Sequence, residues 1–129
     1  MRAGALQTAA ILAGGAAGTL ARAGVNELLP HDPGAWPWAT LVVNLAGTFI
    51  LAAATAWLAK VARPAAYWQP LLGVGFCGAL TTFSAFQIET IRLAQHGAPE
   101  LALAYAALSL TLGLACALAG ALIPGRIQA

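Results

Sequence analysis

The stretch "LLGVGFCGALTTFSAFQIETI", residues 71–91, is apolar enough to lie in a bilayer but has a polar centre. That centre, "TTFSAF" at residues 81–86, places three hydroxyl side chains beside two phenylalanines. Just before it, Gly73, Gly75 and Gly78 loosen the helix, because glycine is a poor helix former. Polar groups inside a membrane span are costly and therefore indicate a function. We predict a membrane span with a functional site at its midpoint.

The composition is that of a membrane protein. Of the 129 residues, 60% are apolar and only 8% are charged, whereas a soluble domain has about 25% charged residues. A span needs about 20 residues, so the chain has room for four spans and no separate soluble domain. We predict an all-α membrane protein with one domain, residues 1–129.

Four apolar stretches, separated by short polar or turn-forming segments, predict the spans. The clearest separator is "LPHDPG" at residues 29–34, because proline, aspartate and glycine favour turns. The predicted spans are residues 6–29, 38–61, 70–94 and 100–123. Aromatic residues stand near the span ends, as in the aromatic belts at membrane interfaces; they are Trp36, Trp38, Tyr67 and Trp68.

The few charged residues bear on membrane orientation and on partners. With four spans, both termini lie on one side of the membrane. The basic residues on that side are Arg2, Lys60, Arg63 and Arg126. The positive-inside rule then gives a modest preference for cytoplasmic termini. A net charge of +2 does not indicate nucleic acid, and we predict no such partner.

Residues that could carry out catalysis are sparse. Cys77 and Cys116 each stand alone within a predicted span and are expected to pack as small apolar residues. His31 and His96 are loop residues, expected to be solvated. The sequence contains no nucleophile and base pair, no cluster with metal-ligand spacing and no phosphate-binding glycine loop. We therefore predict that the protein is not an enzyme.

Polar or small residues recur at four-residue spacing along three of the spans. Residues four apart share a helix face, so each of these helices has one such stripe. Hydroxyl and amide donors with few ionisable groups suit a path for an anion that loses its water. The stripes are Gly14, Gly18 and Arg22 in the first span, Thr40, Asn44 and Thr48 in the second, and Tyr105 and Ser109 in the fourth.

Structural roles for the same residues stay open. Hydroxyls in helices often bond to their own backbone carbonyls, and a phenylalanine pair is compatible with a core or with a lipid-facing surface. Gly14 and Gly18 suit close helix packing. Asn44 needs a hydrogen-bond partner in hydrocarbon, which an interhelical contact or a ligand would supply equally well. Arg22 either borders a water-filled recess or extends to the interface.

Three motifs, in this order, resemble those of the Fluc (CrcB-type) fluoride channels, and the resemblance covers about the whole chain. The first is "GGAAGTLAR" at residues 14–22, which is glycine-rich and ends in arginine. The second is "WATLVVNLAGTFILA" at residues 38–52, and the third is "GFCGALTTFSAFQIE" at residues 75–89. The fourth span departs from the family pattern, because Gly113 stands where members often have a hydroxyl one turn beyond Ser109.

The resemblance implies a fold and a bound ion. It implies a dual-topology antiparallel homodimer in the bilayer, in which the third helix is broken at its midpoint. Backbone carbonyls freed at the break, assigned to Gly78 and Thr81, would hold a structural Na⁺ at the dimer centre. The glycines are expected to permit the break and the cation to satisfy it, since irregular backbone in a membrane must be buried or paired.

The resemblance also implies a passive, fluoride-selective channel in a bacterial inner membrane, with two pores per dimer. Such a channel exports fluoride from the cytoplasm and so lowers its toxicity. Ring edges and hydroxyl or amide donors would replace the water around the ion without trapping it, and Arg22 would concentrate anions in a vestibule. The implied pore residues are Thr40, Asn44, Thr82, Phe83, Ser84, Phe86, Tyr105 and Ser109.

Two other functions stay open. A small proton-coupled multidrug exporter also has four spans, but it requires a carboxylate in the first span, where Glu27 near the end is the only candidate. A non-transporting assembly subunit would tolerate the loss of Asn44 or Phe83. The role of Glu89 is undecided, since this residue either pairs with Arg92 or faces away from the anion path.

Overall fold

The computed structural model describes residues 2–61 and 65–126, and the regular structure within those ranges is helical. Four helices are long and apolar enough to cross a membrane, which confirms the predicted number of spans. Arg63, on which part of the predicted orientation depends, lies outside the described residues. The helices are α1 (Arg2–Leu28), α2 (Trp38–Lys60), an interrupted third span, and α5 (Pro99–Arg126).

The third span consists of two helices joined by two extended residues. Its first half, α3, is a π-helix over Pro70–Cys77 that continues as one α-helical turn, Gly78–Leu80. Thr81 then has φ −79° and ψ 156°, and Thr82 has φ −149° and ψ 112°. The second half, α4, is an α-helix over Phe83–Gln95. The span is therefore bent near its centre, as the sequence predicts.

The glycines do not make this break. Gly78 has ordinary helical angles, φ −62° and ψ −33°, and the helix ends at the two threonines beyond it. Gly75 instead faces α1, where a Cβ atom at this position would lie 2.7 Å from the carbonyl oxygen of Ile11. The interruption therefore lies beyond the last of the three glycines, and Gly75 has a packing role against α1.

Close packing of α1 against α3 involves two glycines of α1 as well. A Cβ atom at Gly14 would collide with the backbone carbonyl of Leu71, and one at Gly18 would collide with that of Phe76. These are contacts with backbone atoms, which cannot move aside as a side chain can. The packing role considered for Gly14 and Gly18 is therefore confirmed.

The buried core lies between α2, α4 and α5. Tyr105 of α5 is fully buried there, and Phe86 of α4 packs against its ring with a centroid separation of 5.3 Å. Large apolar side chains elsewhere on the helices remain exposed, as expected for a protein surrounded by lipid. The buried residues of this cluster are Leu41, Leu93, Ala102 and Tyr105.

The loop between α1 and α2, residues 29–37, lies over the end of α4. Gly34 in this loop has φ +87°, a left-handed conformation that favours glycine. A Cβ atom at Gly34 would lie 2.8 Å from the Cβ atom of His96, the residue that follows α4. The loop is therefore held beside the last turn of α4, where loop residues can approach polar side chains of that helix.

Candidate functional site

Asn44 of α2 holds the break in the third span through two hydrogen bonds to one residue. The backbone N–H of Thr82 donates to Asn44 Oδ1 at 2.7 Å, and Asn44 Nδ2 donates to the Thr82 carbonyl at 3.1 Å. In a continuous α-helix, the Thr82 N–H would instead donate to the carbonyl of Gly78. Asn44 therefore replaces a helical hydrogen bond with an interhelical one.

The side chain of Thr82 diverts a second helical donor. Its Oγ1 accepts the backbone N–H of Ala85 at 3.2 Å and caps the start of α4. In a continuous helix that N–H would donate to the carbonyl of Thr81. The carbonyls of Gly78 and Thr81 thus both lose their usual donors to side chains. These are the two carbonyls for which the sequence resemblance implies an ion-binding role.

A cavity of about 380 Å³ opens beside the interruption, and we call it the break cavity. It brings together most of the residues assigned to the pore and to the cation. Ser109 of α5 lies in its wall, and within the described part of the chain its buried hydroxyl has no hydrogen-bond partner. The predicted site residues that line it are Asn44, Gly78, Thr81, Thr82, Phe83, Phe86 and Ser109.

The two phenylalanines of the break cavity differ in their surroundings. Their rings are stacked, with centroids 5.8 Å apart and planes at 27°. Phe83 is 70% exposed, whereas Phe86 is partly buried against the core. Phe83 is therefore not part of the core of one chain, whereas Phe86 packs against the core and also lines the break cavity.

A second, smaller cavity of about 260 Å³ also borders Thr82, and we call it the Arg22 cavity. Arg22 of α1, Thr40 of α2 and Glu89 of α4 line it together with Thr82. Because Thr82 lines both cavities, the two are neighbours. The guanidinium is thus placed outside the break cavity.

Glu89 is the functional candidate that sequence reasoning left undecided. Thr40 Oγ1 donates to its Oε1 at 2.8 Å, and the hydroxyl of Tyr105 donates to its Oε2 at 3.1 Å. The carboxylate therefore faces inward and is held by two hydroxyls that were expected to face an anion. Its position three residues beyond Phe86 was a usable signal, since residues three apart share a helix face.

The remaining predicted site residue, Ser84, lies at the edge of this arrangement. Its hydroxyl is exposed and is 3.3 Å from Thr82 Oγ1. Thr48, the third member of the α2 stripe, donates to the carbonyl of Asn44 at 2.7 Å in its own helix. Its hydroxyl is therefore structural, as the back-bonding alternative allowed.

Taken together, the site offers hydrogen-bond donors and aromatic rings to a small ligand. The break cavity contains a hydroxyl without a partner and an asparagine whose amide has a second N–H. Its aromatic edges have positive character, and the charged residues Arg22 and Glu89 line the neighbouring cavity. Such a surface can bind an anion through several weak contacts.

Comparison with known proteins gives a match over most of the chain. Residues 9–121 match the family described as CrcB-like protein, Camphor Resistance (CrcB). The fluoride-specific ion channel FluC 1 of Mycobacterium bovis is 48% identical over 108 residues, 84% of this chain and 82% of that protein. FluC of Caulobacter vibrioides is 38% identical over 92% of this chain and 95% of its own length. FluC of Aeromonas salmonicida is 44% identical, with 85% and 89% covered.

Proposed function

The chain belongs to the CrcB family, and we propose that it is a passive fluoride channel that lets fluoride leave the cytoplasm across a bacterial inner membrane. The family is one of fluoride channels and not of enzymes, and the four long apolar helices make this a multi-pass membrane protein. The observation that carries the proposal is the break cavity, whose lining includes two phenylalanines and a buried hydroxyl that has no hydrogen-bond partner among the described residues.

Fluoride would exchange its water for donors of the break cavity. The hydroxyl of Ser109 and the second amide N–H of Asn44 would donate to the ion, and the positive ring edges of Phe83 would add a weak contact. Several modest donors release an ion more readily than one full charge does. Arg22, in the neighbouring cavity, would raise the local anion concentration without binding the ion in the narrow part of the path.

Reconstitution into liposomes tests this function. Liposomes loaded with potassium fluoride receive the purified protein, valinomycin balances the charge, and a fluoride electrode records efflux. We expect fast fluoride efflux without a proton gradient, and none of chloride in matched liposomes read with a chloride electrode. Efflux no faster than from protein-free liposomes would contradict the proposal, and efflux that requires a proton gradient would favour a coupled exporter.

A matched pair of α5 variants links the flux to the cavity. Ser109→Ala removes the hydroxyl without a partner and should lower fluoride flux about tenfold, since it removes a donor to a charged ligand worth about 1.5 kcal/mol. Thr111→Val is the control, because the Thr111 hydroxyl is exposed and donates to the carbonyl of Ala107 in its own helix. Equal flux in both variants would remove Ser109 from the path.

We propose further that the protein works as a dual-topology antiparallel homodimer with two pores and a structural Na⁺ held by the carbonyls of Gly78 and Thr81. In support, the helical donors of both carbonyls are taken by Asn44 and Thr82. Carbonyls of unwound helices suit sodium, and carbonyls left unpaired in a membrane are costly. The ion would bind the carbonyls that have lost their helical donors and would thereby stabilise the break.

Gly78→Val tests this arrangement, because one chain has room for a Cβ atom at this position. The nearest atom to such a Cβ would be the carbonyl oxygen of Gly73 at 3.7 Å, an ordinary contact. We expect Gly78→Val to abolish the dimer and the flux, because the added side chain meets the second subunit. Gly73→Val is the matched control, because the nearest atom to a Cβ at Gly73 belongs to the movable side chain of Leu51, at 3.6 Å.

The mass of the detergent-solubilised particle gives the oligomeric state of these variants. A Gly78→Val protein with the mass and flux of the wild type would contradict the central dimer contact. Replacing bulk sodium by N-methylglucamine should lower the melting temperature of the wild type, and an unchanged melting temperature would argue against the ion. Cysteine labelling from each side of sealed vesicles tests dual topology, which predicts labelling of one position from both sides.

A further inference from the structure

His31, in the loop between α1 and α2, lies close to the carboxylate of Glu89. Its Nε2 lies 3.8 Å from Glu89 Oε1. The imidazole is 26% exposed and the carboxylate 13% exposed, so the pair lies at the boundary between protein and solvent. Both residues line a cavity of about 150 Å³ together with Arg92, and we call it the His31 cavity.

We infer that His31 is a positioning residue that acts through Glu89 and makes the fluoride flux depend on pH; the inference rests on the proposed function. Glu89 lines both the Arg22 cavity and the His31 cavity, so an anion that moves between them passes its carboxylate. The negative charge there repels fluoride, and Arg22 and Arg92, which line the same two cavities, offset this repulsion by an amount that does not change with pH. A protonated imidazole 3.8 Å from the carboxylate offsets that repulsion.

The other titratable or charged groups around this carboxylate do not supply the same switch. Arginine keeps its charge over the whole physiological range, and a tyrosine hydroxyl stays neutral there. Of the two histidines in the chain, His96 points elsewhere, since its Nδ1 lies 2.8 Å from the carbonyl oxygen of Arg92. Arg22 and Arg92 line cavities together with Glu89, the Tyr105 hydroxyl donates to it, and Asp32 shares a cavity lining with His31 and has no basic site to gain a positive charge.

The sign of the effect follows from the charge of histidine. Imidazole gains a proton as the pH falls between about 8 and 5. Protonation of His31 would bring the net charge of the His31 and Glu89 pair from −1 to zero. Fluoride flux should therefore rise as the pH falls, by about fivefold, which is the size expected for one partly screened charge close to the path.

The experiment measures fluoride efflux from proteoliposomes at pH 7.5, 6.5 and 5.5, with the same pH on both sides. The leak of hydrogen fluoride through lipid is recorded in protein-free liposomes at each pH and subtracted. His31→Gln removes the titrating group, and His31→Lys fixes a positive charge. His96→Gln is the matched control, because it removes the other histidine and leaves the His31 and Glu89 pair intact.

We expect the wild type and His96→Gln to gain about fivefold in flux between pH 7.5 and 5.5. His31→Gln should stay at the low level and His31→Lys at the high level across the range. A His31→Gln protein with the wild-type pH profile would overturn the inference. A flat wild-type profile would overturn the inference alone. No fluoride flux at any pH would overturn the proposed function and the inference with it.

Discussion

The two halves of the third span are held in place by different kinds of contact. The first half, α3, packs on α1, where glycines let the two backbones touch, as Gly75 does beside Ile11. The second half, α4, packs on α5 and is oriented by side-chain hydrogen bonds. Asn44 bonds the backbone at its start, and Thr40 and Tyr105 bond its Glu89.

This difference separates the scaffold from the site. Close backbone contact leaves no room for a side chain, so α3 is a rigid apolar support that tolerates few changes in volume. Hydrogen bonds to α4 specify direction and fix polar groups where an ion can meet them. Larger side chains at the α1–α3 contact should therefore lower the stability of the protein. Changes of polarity around α4 should instead lower the fluoride flux.

Gly14→Ala tests the scaffold half and should have the largest effect on stability. The added methyl group would collide with the backbone carbonyl of Leu71, and forcing α1 from α3 should cost about 3 kcal/mol. We expect a low yield of folded protein and a melting temperature well below that of the wild type in detergent. Gly15→Ala is the control, since nothing lies within 4 Å of a Cβ atom there. Equal melting of the two variants would contradict the backbone contact.

Asn44→Asp tests the polar half and should have the largest effect on flux. The carboxylate can still accept the Thr82 N–H, but it cannot donate to the Thr82 carbonyl. Since this side chain would contact the ion, a negative charge about 4 Å from it costs about 4 kcal/mol at an effective dielectric constant of about 20, so flux should fall about a thousandfold. The fluoride electrode measures this loss.

Thr48→Val is the control for that variant. It lies one turn further along α2, and its hydroxyl only donates to the carbonyl of Asn44 in its own helix. We expect nearly wild-type flux and melting temperature. Full flux in Asn44→Asp would show that Asn44 only joins helices, and would place the anion path elsewhere.

The sequence was sufficient for the spans and for the irregular third helix, but not for the cause of the break. Composition determines how many apolar segments the chain can form, and Gly73 and Gly78 marked a weak helix. The break itself lies at Thr81 and Thr82, because Asn44, 38 residues earlier, takes a donor from the helix. Local propensity does not contain that partner, so the sequence alone could not show that the helix ends at these two threonines.

The same limit explains the two polar residues whose roles became clear only in the structure. Glu89 shares a helix face with Phe86, a periodicity that the sequence displays, yet the hydroxyls that hold it come from α2 and α5. Nothing in the sequence indicated a functional role for His31, because a loop residue is not part of a helical periodicity. Its approach to Glu89 depends on how residues 29–37 fold over α4.

Phe83→Ile and Phe86→Ile separate an effect on flux from an effect on stability within α4. Both variants keep an apolar side chain and remove a ring edge, so each should lower fluoride flux about tenfold. Only Phe86→Ile should also destabilise the protein, by about 1 to 2 kcal/mol, because Phe86 packs against Tyr105 in the core while Phe83 is exposed. Wild-type flux in Phe83→Ile would remove its ring from the mechanism.

Thr81→Ser should have the smallest effect, because Thr81 joins the two halves through its backbone. Its hydroxyl donates to the Cys77 carbonyl at 2.9 Å, and serine keeps this bond as well as the freed carbonyl. The lost methyl group contacts Gly47, so we expect about 1 kcal/mol of destabilisation and flux within about twofold of the wild type. Thr81→Val keeps the methyl and removes the hydroxyl, and it should conduct as well, since the carbonyl is again unchanged. A hundredfold loss in either variant would mean that a side chain, and not the backbone, acts at the break.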